Sequence, residues 1–317
     1  MTRWLCGCIF GVCLLFCSGC SLFRAYDDVN RWGLGVQGIQ QHDVRLSTGK
    51  MRYYQSKKAA KKSNKPPILF VHGFGTNATM TWSNQLPVFA NERTVIAPDL
   101  YWSGGSLPSA KGTMHSPAAQ ADALAELLNV LEVKKVHVVG TSFGGYVSMQ
   151  LALRHPKKVT RLSLINSAGL EPSDAERKGI EKRFPYAKGE FSRLIIPETP
   201  EDLRVFLRQT TYKKYPLPSF VLKDVMEQEF WLHKEERKKM AKHLEKHFLS
   251  ARRLKKLRVP TQVIWGRHDH LLPLSYGKRL SRLIANASFH IVERAGHVPI
   301  VEQHTKTNQL LKAFLDK

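Results

Sequence analysis

Cysteine is missing from the whole stretch Ser21 to Lys317, because Cys6, Cys8, Cys13, Cys17 and Cys20 are all in the first twenty residues. A body without cysteine holds no disulfide, no thiolate metal site and no thiol nucleophile, which excludes a stapled secreted scaffold and cysteine-based catalysis. Formal charge is absent between Arg3 and Arg24, a stretch too long and too apolar to be an ordinary surface segment. Acidic residues are scarce throughout: 26 Asp and Glu stand against 49 Lys and Arg, a net charge of +23 that points to an anionic partner. There is no internal repeat, and 43% hydrophobic residues in 317 is neither disordered, collagen-like nor coiled-coil composition. What remains is a folded body large enough for a sizeable core.

The uncharged start has a basic residue, an apolar run from Leu5 to Phe16 and small residues before Cys20, the layout of an export signal. Cys17-Ser18-Gly19-Cys20 resembles the lipobox of bacterial lipoproteins, with Cys17 where such motifs usually carry Leu. The resemblance implies lipidation at Cys20. An uncleaved membrane anchor of about twenty residues is the alternative. Both place the body at a membrane surface in the cell envelope, with residues 1–20 as signal or anchor and 21–41 as a polar connector.

From His42 to Gln55 the pattern is a hairpin turning at Thr48-Gly49. A cluster of Lys57, Lys58, Lys61, Lys62 and Lys65 follows, readable as a solvated turn or as an attractor of acidic headgroups. Ile68-Leu69-Phe70-Val71 suits a buried strand, and further strands are expected at Thr94–Ala97, Val136–Val139, Leu162–Ile165, Gln262–Trp265 and Phe289–Val292. Most are separated by helical patterns, one opening at Ser116-Pro117. That alternation predicts an α/β class, a mostly parallel sheet with helices on both faces. Between about Leu170 and Leu257 it breaks. Arg177 to Arg258 contains 22 basic and 11 acidic residues interspersed with Phe184, Phe191, Phe206, Phe220, Phe230, Trp231 and Phe248. This reads as a basic helical cap (170–257) inserted into a core of 42–169 and 258–317, its aromatics mostly packing and a minority lining a pocket.

Gly140-Thr141-Ser142-Phe143-Gly144 follows the strand pattern Val136–Val139 and precedes a helical one. A sharp turn from strand to helix needs small residues beside the serine, and it presents the hydroxyl at the sheet edge. Serine is a weak nucleophile without a base, so the reading requires a histidine oriented by an acid. Asp269, after one expected strand, and His297, after the next, supply them in the order Ser, Asp, His.

With His72-Gly73-Phe74-Gly75 and Ala97-Pro98-Asp99-Leu100, these segments resemble the α/β-hydrolase superfamily over 42–317, and the chain is similar to bacterial lipases and esterases, monoacylglycerol lipase-like enzymes and related carbon–carbon bond hydrolases. The resemblance implies Ser142 as nucleophile, His297 as base then acid, Asp269 as its orienting acid, the amides of Phe74 and Phe143 as oxyanion hole, and His72 as a structural residue. No cofactor is needed, and no metal is expected: His268-Asp269-His270 would offer adjacent ligands that point apart, with no clear further partners. Asp99 precedes the serine and fits a structural loop better than the acid's role. Tyr101-Trp102-Ser103-Gly104-Gly105-Ser106 departs from the family's Pro-Gly-x-Gly-x-Ser, and its two aromatics are expected to narrow the pocket. The expected substrate is an acyl or lipid ester and the expected partner an anionic membrane surface. A carbon–carbon or amide substrate is the alternative, and a non-catalytic binding protein a weaker one. Epoxide and haloalkane hydrolases use a carboxylate where Ser142 stands. Nucleic acid is the poorer explanation of the charge for an exported catalytic body.

Overall fold

A computed structural model describes residues 21–57, 64–109 and 114–317; the signal, Cys20 and most of the lysine cluster lie outside them. The first described element corrects the connector expected at 21–41. Residues Leu22–Val36 form helix α1, capped by Ser21 Oγ accepting from the Arg24 amide at 3.0 Å. Gly33, Gly35 and the Asp27-Asp28 pair make this stretch look like a loop. It is helical because polar contacts dock it: Thr79 Oγ1 donates to Asp27 at 3.0 Å, Asn30 Nδ2 donates to the Thr79 carbonyl at 3.1 Å, and Leu34 is buried.

Strand β1 (Ile39–Leu46) therefore starts earlier than expected and pairs antiparallel with β2 (Gly49–Ser56), Leu46 opposite Gly49. Then follow β3 (Ile68–Val71), short helices α2 (Ala78–Trp82) and α3 (Leu86–Ala90), β4 (Val95–Pro98), the two-residue β5 (Leu107–Pro108), α4 (Pro117–Val130), β6 (Val136–Thr141), α5 (Phe143–Arg154) and β7 (Val159–Ile165). The Ser116 hydroxyl caps α4, accepting from the Ala119 amide at 3.0 Å, with Pro117 in its first turn.

The cap comprises α6 (Asp174–Arg183), α7 (Phe191–Ile195), α8 (Pro200–Thr210), α9 (Ser219–Val225) running on into a π turn at Met226–Phe230, α10 (Lys234–Lys246) and α11 (Ala251–Leu254). The core resumes with β8 (Thr261–Gly266), α12 (Leu274–Leu283), β9 (Ala287–Val292), α13 (Pro299–Glu302) and α14 (His304–Leu315).

Sheet order is β1-β2-β4-β3-β6-β7-β8-β9, with β5 at the side of β2. The β1, β2 and β4 pairings are antiparallel and every pairing from β4 through β3 to β9 is parallel, so both sheet faces must be covered by helices. Successive strand residues point to opposite faces. Leu69, Val71, Val138 and Trp265 pack with Leu124, Leu128, Val147 and Leu280 on one side, whereas Ile68, Phe70, Val139 and Ile264 pack with Trp82, Phe89, Ile300 and Phe314 on the other. Two smaller apolar clusters belong largely to the cap, around Phe184 and Leu194 and around Leu203 and Met226. Among the described residues, no helix is long and apolar enough to cross a membrane.

Candidate active site

The turn from β6 to α5 is shaped by what glycine leaves out. A Cβ on Gly144 would lie 2.2 Å from the carbonyl oxygens of Val71 and His72, and one on Gly140 would lie 2.3 Å from Ser148 Oγ, so strand, turn and helix approach too closely for any side chain there. Between them Ser142 is held at φ 52°, ψ −122°, a backbone conformation unfavourable for a residue with a Cβ. The fold sustains it through the Ser142 amide, which donates to the Ile165 carbonyl at 3.0 Å, and the Ser142 carbonyl, which accepts from Ala168 at 3.0 Å.

Three side chains far apart in sequence meet at this turn. Ser142 Oγ is 2.9 Å from His297 Nε2, and His297 Nδ1 is 2.7 Å from Asp269 Oδ2. Asp269 is buried, and its other oxygen accepts from the amides of Leu271 and Leu272, each at 2.9 Å. A carboxylate so surrounded stays an acceptor, which fixes the imidazole with its proton on Nδ1 and a lone pair on Nε2 facing the serine hydroxyl. The sequence reading of Ser142, Asp269 and His297 as one constellation thus names groups that the fold joins in one hydrogen-bonded line.

Two further residues complete the support and carried no motif. Asn166, just past β7 at φ 42°, donates to Asp269 Oδ2 at 2.6 Å and accepts from the Gly266 amide at 3.1 Å. Buried Glu302 accepts from the Gly296 amide at 2.7 Å and, through its other oxygen, from the amides of Tyr212 and Lys213, both at 2.8 Å. The His297 amide itself donates to the Thr210 carbonyl at 2.6 Å. The histidine loop is therefore pinned to the end of cap helix α8. A signal existed for Glu302, an acid five residues after His297 opening a helix with Pro299, but Asn166 had none.

The loop after β3 lies against the serine, since a Cβ on Gly73 would be 3.4 Å from Ser142 Cβ. Phe143 is the first residue of α5, where amides have no intrahelical acceptor, and its ring meets that of Phe74 edge to face at 6.0 Å. His72 is buried, its Nδ1 2.7 Å from the Gly73 carbonyl and its Nε2 accepting from the Leu100 amide at 2.8 Å. Burial pushes its imidazole down to about 4, consistent with a neutral strut. Asp99 bridges the amides of Ala78 and Gly105, both at 2.9 Å, and burial pushes it up to about 6. It braces loops and is not bonded to the histidine.

A cavity opens from Ser142, walled by Phe74, Phe143 and Leu272 below and by Phe184, Phe191 and Leu194 of the cap above. Phe248 also lines it, so three of the seven cap aromatics face the pocket. The expectation that Tyr101 and Trp102 narrow it is corrected. Tyr101 OH bonds Thr48 Oγ1 at 2.8 Å, and Trp102 stacks on His115 with ring centroids 6.0 Å apart while its carbonyl accepts from Arg237 Nε at 2.9 Å. Both are buried and neither lines the cavity; the departure from Pro-Gly instead lets Trp102 seat α10 through Arg237.

A doubly covered parallel sheet carrying a serine, histidine and acid at the ends of β6, β9 and β8 defines a hydrolase of the α/β class. The chain belongs to the alpha/beta hydrolase fold family, whose model matches residues 66–303. It is 28% identical over 258 residues to the monoacylglycerol lipase ABHD6 of Bos taurus, covering 80% of this chain and 76% of that protein. Among solved structures it is similar to a membrane phospholipase A described as a bacterial virulence factor, with TM-score 0.79, 26% identity and coverage of 93% and 90% of the two chains. The protein lip1 from Acinetobacter baumannii shares the fold at TM-score 0.76 and 23% identity, covering 92% and 95%.

Proposed function

We propose that the chain hydrolyses acyl esters of lipids through a covalent acyl-enzyme on Ser142, working at a membrane to which its N-terminal segment tethers it. The observation that carries the reading is the unbroken line Ser142–His297–Asp269, whose serine lines a largely apolar cavity. The coarser statement, a carboxylic ester hydrolase of the lipase and esterase kind, is supported by family membership and by similarity to a monoacylglycerol lipase.

In this mechanism His297 Nε2 takes the hydroxyl proton as Ser142 Oγ attacks the ester carbonyl carbon. The imidazolium that forms is stabilised by the buried Asp269 carboxylate. The tetrahedral oxyanion lies between the amides of Phe74 and Phe143, donors fixed by backbone and needing no reorganisation. Collapse expels the alcohol, which takes the proton from His297. Water, deprotonated by the same nitrogen, then releases the acid and restores Ser142. No cofactor enters the scheme.

The largely apolar walls support the substrate class: Phe184, Phe191 and Leu194 suit an acyl chain, while Arg177, Glu181, Glu190 and Glu245 also line the cavity and can meet a polar end. The tether is the expected lipidation at Cys20 or an uncleaved anchor, with the basic cap adding attraction to anionic headgroups.

The test is hydrolysis of a chain-length series of acyl esters beside Ser142→Ala. Serine-dependent cleavage with an optimum set by chain length is expected, with loss of at least about a thousandfold in kcat for the variant. Equal rates in both proteins contradict the mechanism, and serine-dependent turnover of amides or carbon–carbon substrates alone moves the chemistry to the alternative.

A further inference from the structure

Helix α1 carries an exposed apolar stripe. Leu22, Val29 and Val36 recur at helical spacing, Trp32 lies alongside, and all are exposed, Trp32 at 72% and Val36 at 70% of their full area. The flanking surface is different: Leu34 and Asp27 are buried against the body, and Arg31 pairs with Asp27 at 3.0 Å and with Asp28. Singly exposed apolar residues are ordinary, whereas a contiguous apolar stripe on a water-facing helix is not.

We propose that α1 lies in the plane of a lipid bilayer with Leu22, Val29, Trp32 and Val36 inserted at the headgroup–acyl boundary. The chain immediately before it identifies the occupant. No charge occurs from Trp4 to Phe23, and only Ser21 separates Cys20 from the helix. Two residues span no more than about 7 Å, so a lipid on Cys20 or an anchor ending there holds α1 at headgroup depth. Helices of this kind bury their apolar face about 5–10 Å into that boundary, and Trp suits it because one end of its ring system is apolar and the other polar. Arg24 and Arg31 balance Asp27 and Asp28 within the helix, so the insertion is driven by apolar contact and does not require anionic lipid.

The placement also orients the site. Cap helix α9 packs on α1, the Phe23 amide donating to Asp224 Oδ2 at 2.8 Å, and α9 exposes Phe220 at 63% of its full area. The same segment ends at Phe230, whose ring would lie 3.2 Å from a Cβ on Gly75, beside Phe74. Docking α1 thus brings to the bilayer the cap helix that leads to the serine loop. The proposal rests on the membrane-tethered reading of the N-terminal segment and is independent of the ester chemistry.

The test uses the full chain in phosphatidylcholine vesicles, with and without acyl-chain-brominated phosphatidylcholine, beside Trp32→Phe. The difference in emission between the two proteins isolates Trp32 from the other tryptophans, Trp4 included. Expected is strong quenching of the Trp32 share by bromolipid, unchanged at high salt. Equal emission in both vesicle types from protein that still floats with them overturns the docking; if the detergent-solubilised chain is then a dimer that Trp32→Glu dissociates, a second copy covers the stripe instead. Protein that does not float overturns the tether as well, and neither result touches the hydrolysis of soluble esters.

Discussion

The sheet edge and the cap meet at one cavity but are built on opposite terms. At the sheet edge, position is set by backbone: Gly140 and Gly144 allow an approach that no side chain survives, Ser142 sits at a positive φ, and the proposed oxyanion donors are amides. In the cap, position is set by side chains. Its helices are short, two open with capping boxes at Ser173–Glu176 and Thr199–Asp202, and it reaches the body through polar clamps such as Arg237 on the Trp102 carbonyl and Glu302 on Tyr212 and Lys213. The difference teaches where change is tolerated. Backbone-defined chemistry resists substitution and fails all at once, whereas a cap held by side chains can be resized and retuned, which suits the wall that selects substrate.

The largest effect expected away from Ser142 is at the sheet edge. Gly144→Ala forces a Cβ onto two carbonyl oxygens at 2.2 Å, so stability should fall by about 3 kcal/mol with loss of esterase activity, read by chemical denaturation and turnover. A variant of wild-type stability and rate would show that the turn is not close-packed. Glu302→Gln comes next, because an amide nitrogen would then face a backbone N–H at the junction between cap and histidine loop. The cost of one unpaired buried donor is about 2 kcal/mol, and kcat should drop more than KM rises, since the group fixes His297 and touches no substrate.

One buried group in each region titrates with opposite sign. Glu229 of the cap is buried, and desolvation, partly offset by Arg237, pushes it up from 4.5 to about 7. Its contribution to stability is full below pH 4.5 and is lost as pH rises through 7. His72 of the sheet edge is pushed down by burial from 6.5 to about 4, so its contribution is full above pH 6.5 and is lost as pH falls through 4. Glu229→Gln should therefore gain on the wild type by about 2 kcal/mol between pH 5 and pH 8, and a pH-independent difference in melting would remove the account of this buried pair. Smallest is Ser173→Ala, which unmakes one capping box at the start of α6 for about 1 kcal/mol and should leave turnover of a short soluble ester unchanged.

Much of the sheet edge was legible in sequence because each of its constraints is local. Ile68–Val71 was placed to the residue, Gly140 to Gly144 announced the turn, and the acid and histidine each followed a strand. What escaped depends on contacts between distant segments. Asn166 reaches Asp269 across 103 residues and belongs to no motif. The departures at Tyr101 and Trp102 suggested a narrowed pocket, yet their partners Thr48, His115 and Arg237 come from three separate stretches that only the fold assembles. Helix α1 was hidden for another reason: its two glycines and its acidic pair break the pattern, and its apolar stripe points away from the core that periodicity is used to find.

The central claim is that Ser142 becomes the acyl carrier when His297 accepts its proton. Fluorophosphonate labelling of the folded protein, with the adduct located by peptide mass spectrometry, tests it most directly. The account predicts one adduct, on Ser142, formed rapidly in the wild type and at least about a hundredfold more slowly in His297→Ala. An adduct on another residue, or labelling of Ser142 at the same rate without His297, would contradict it.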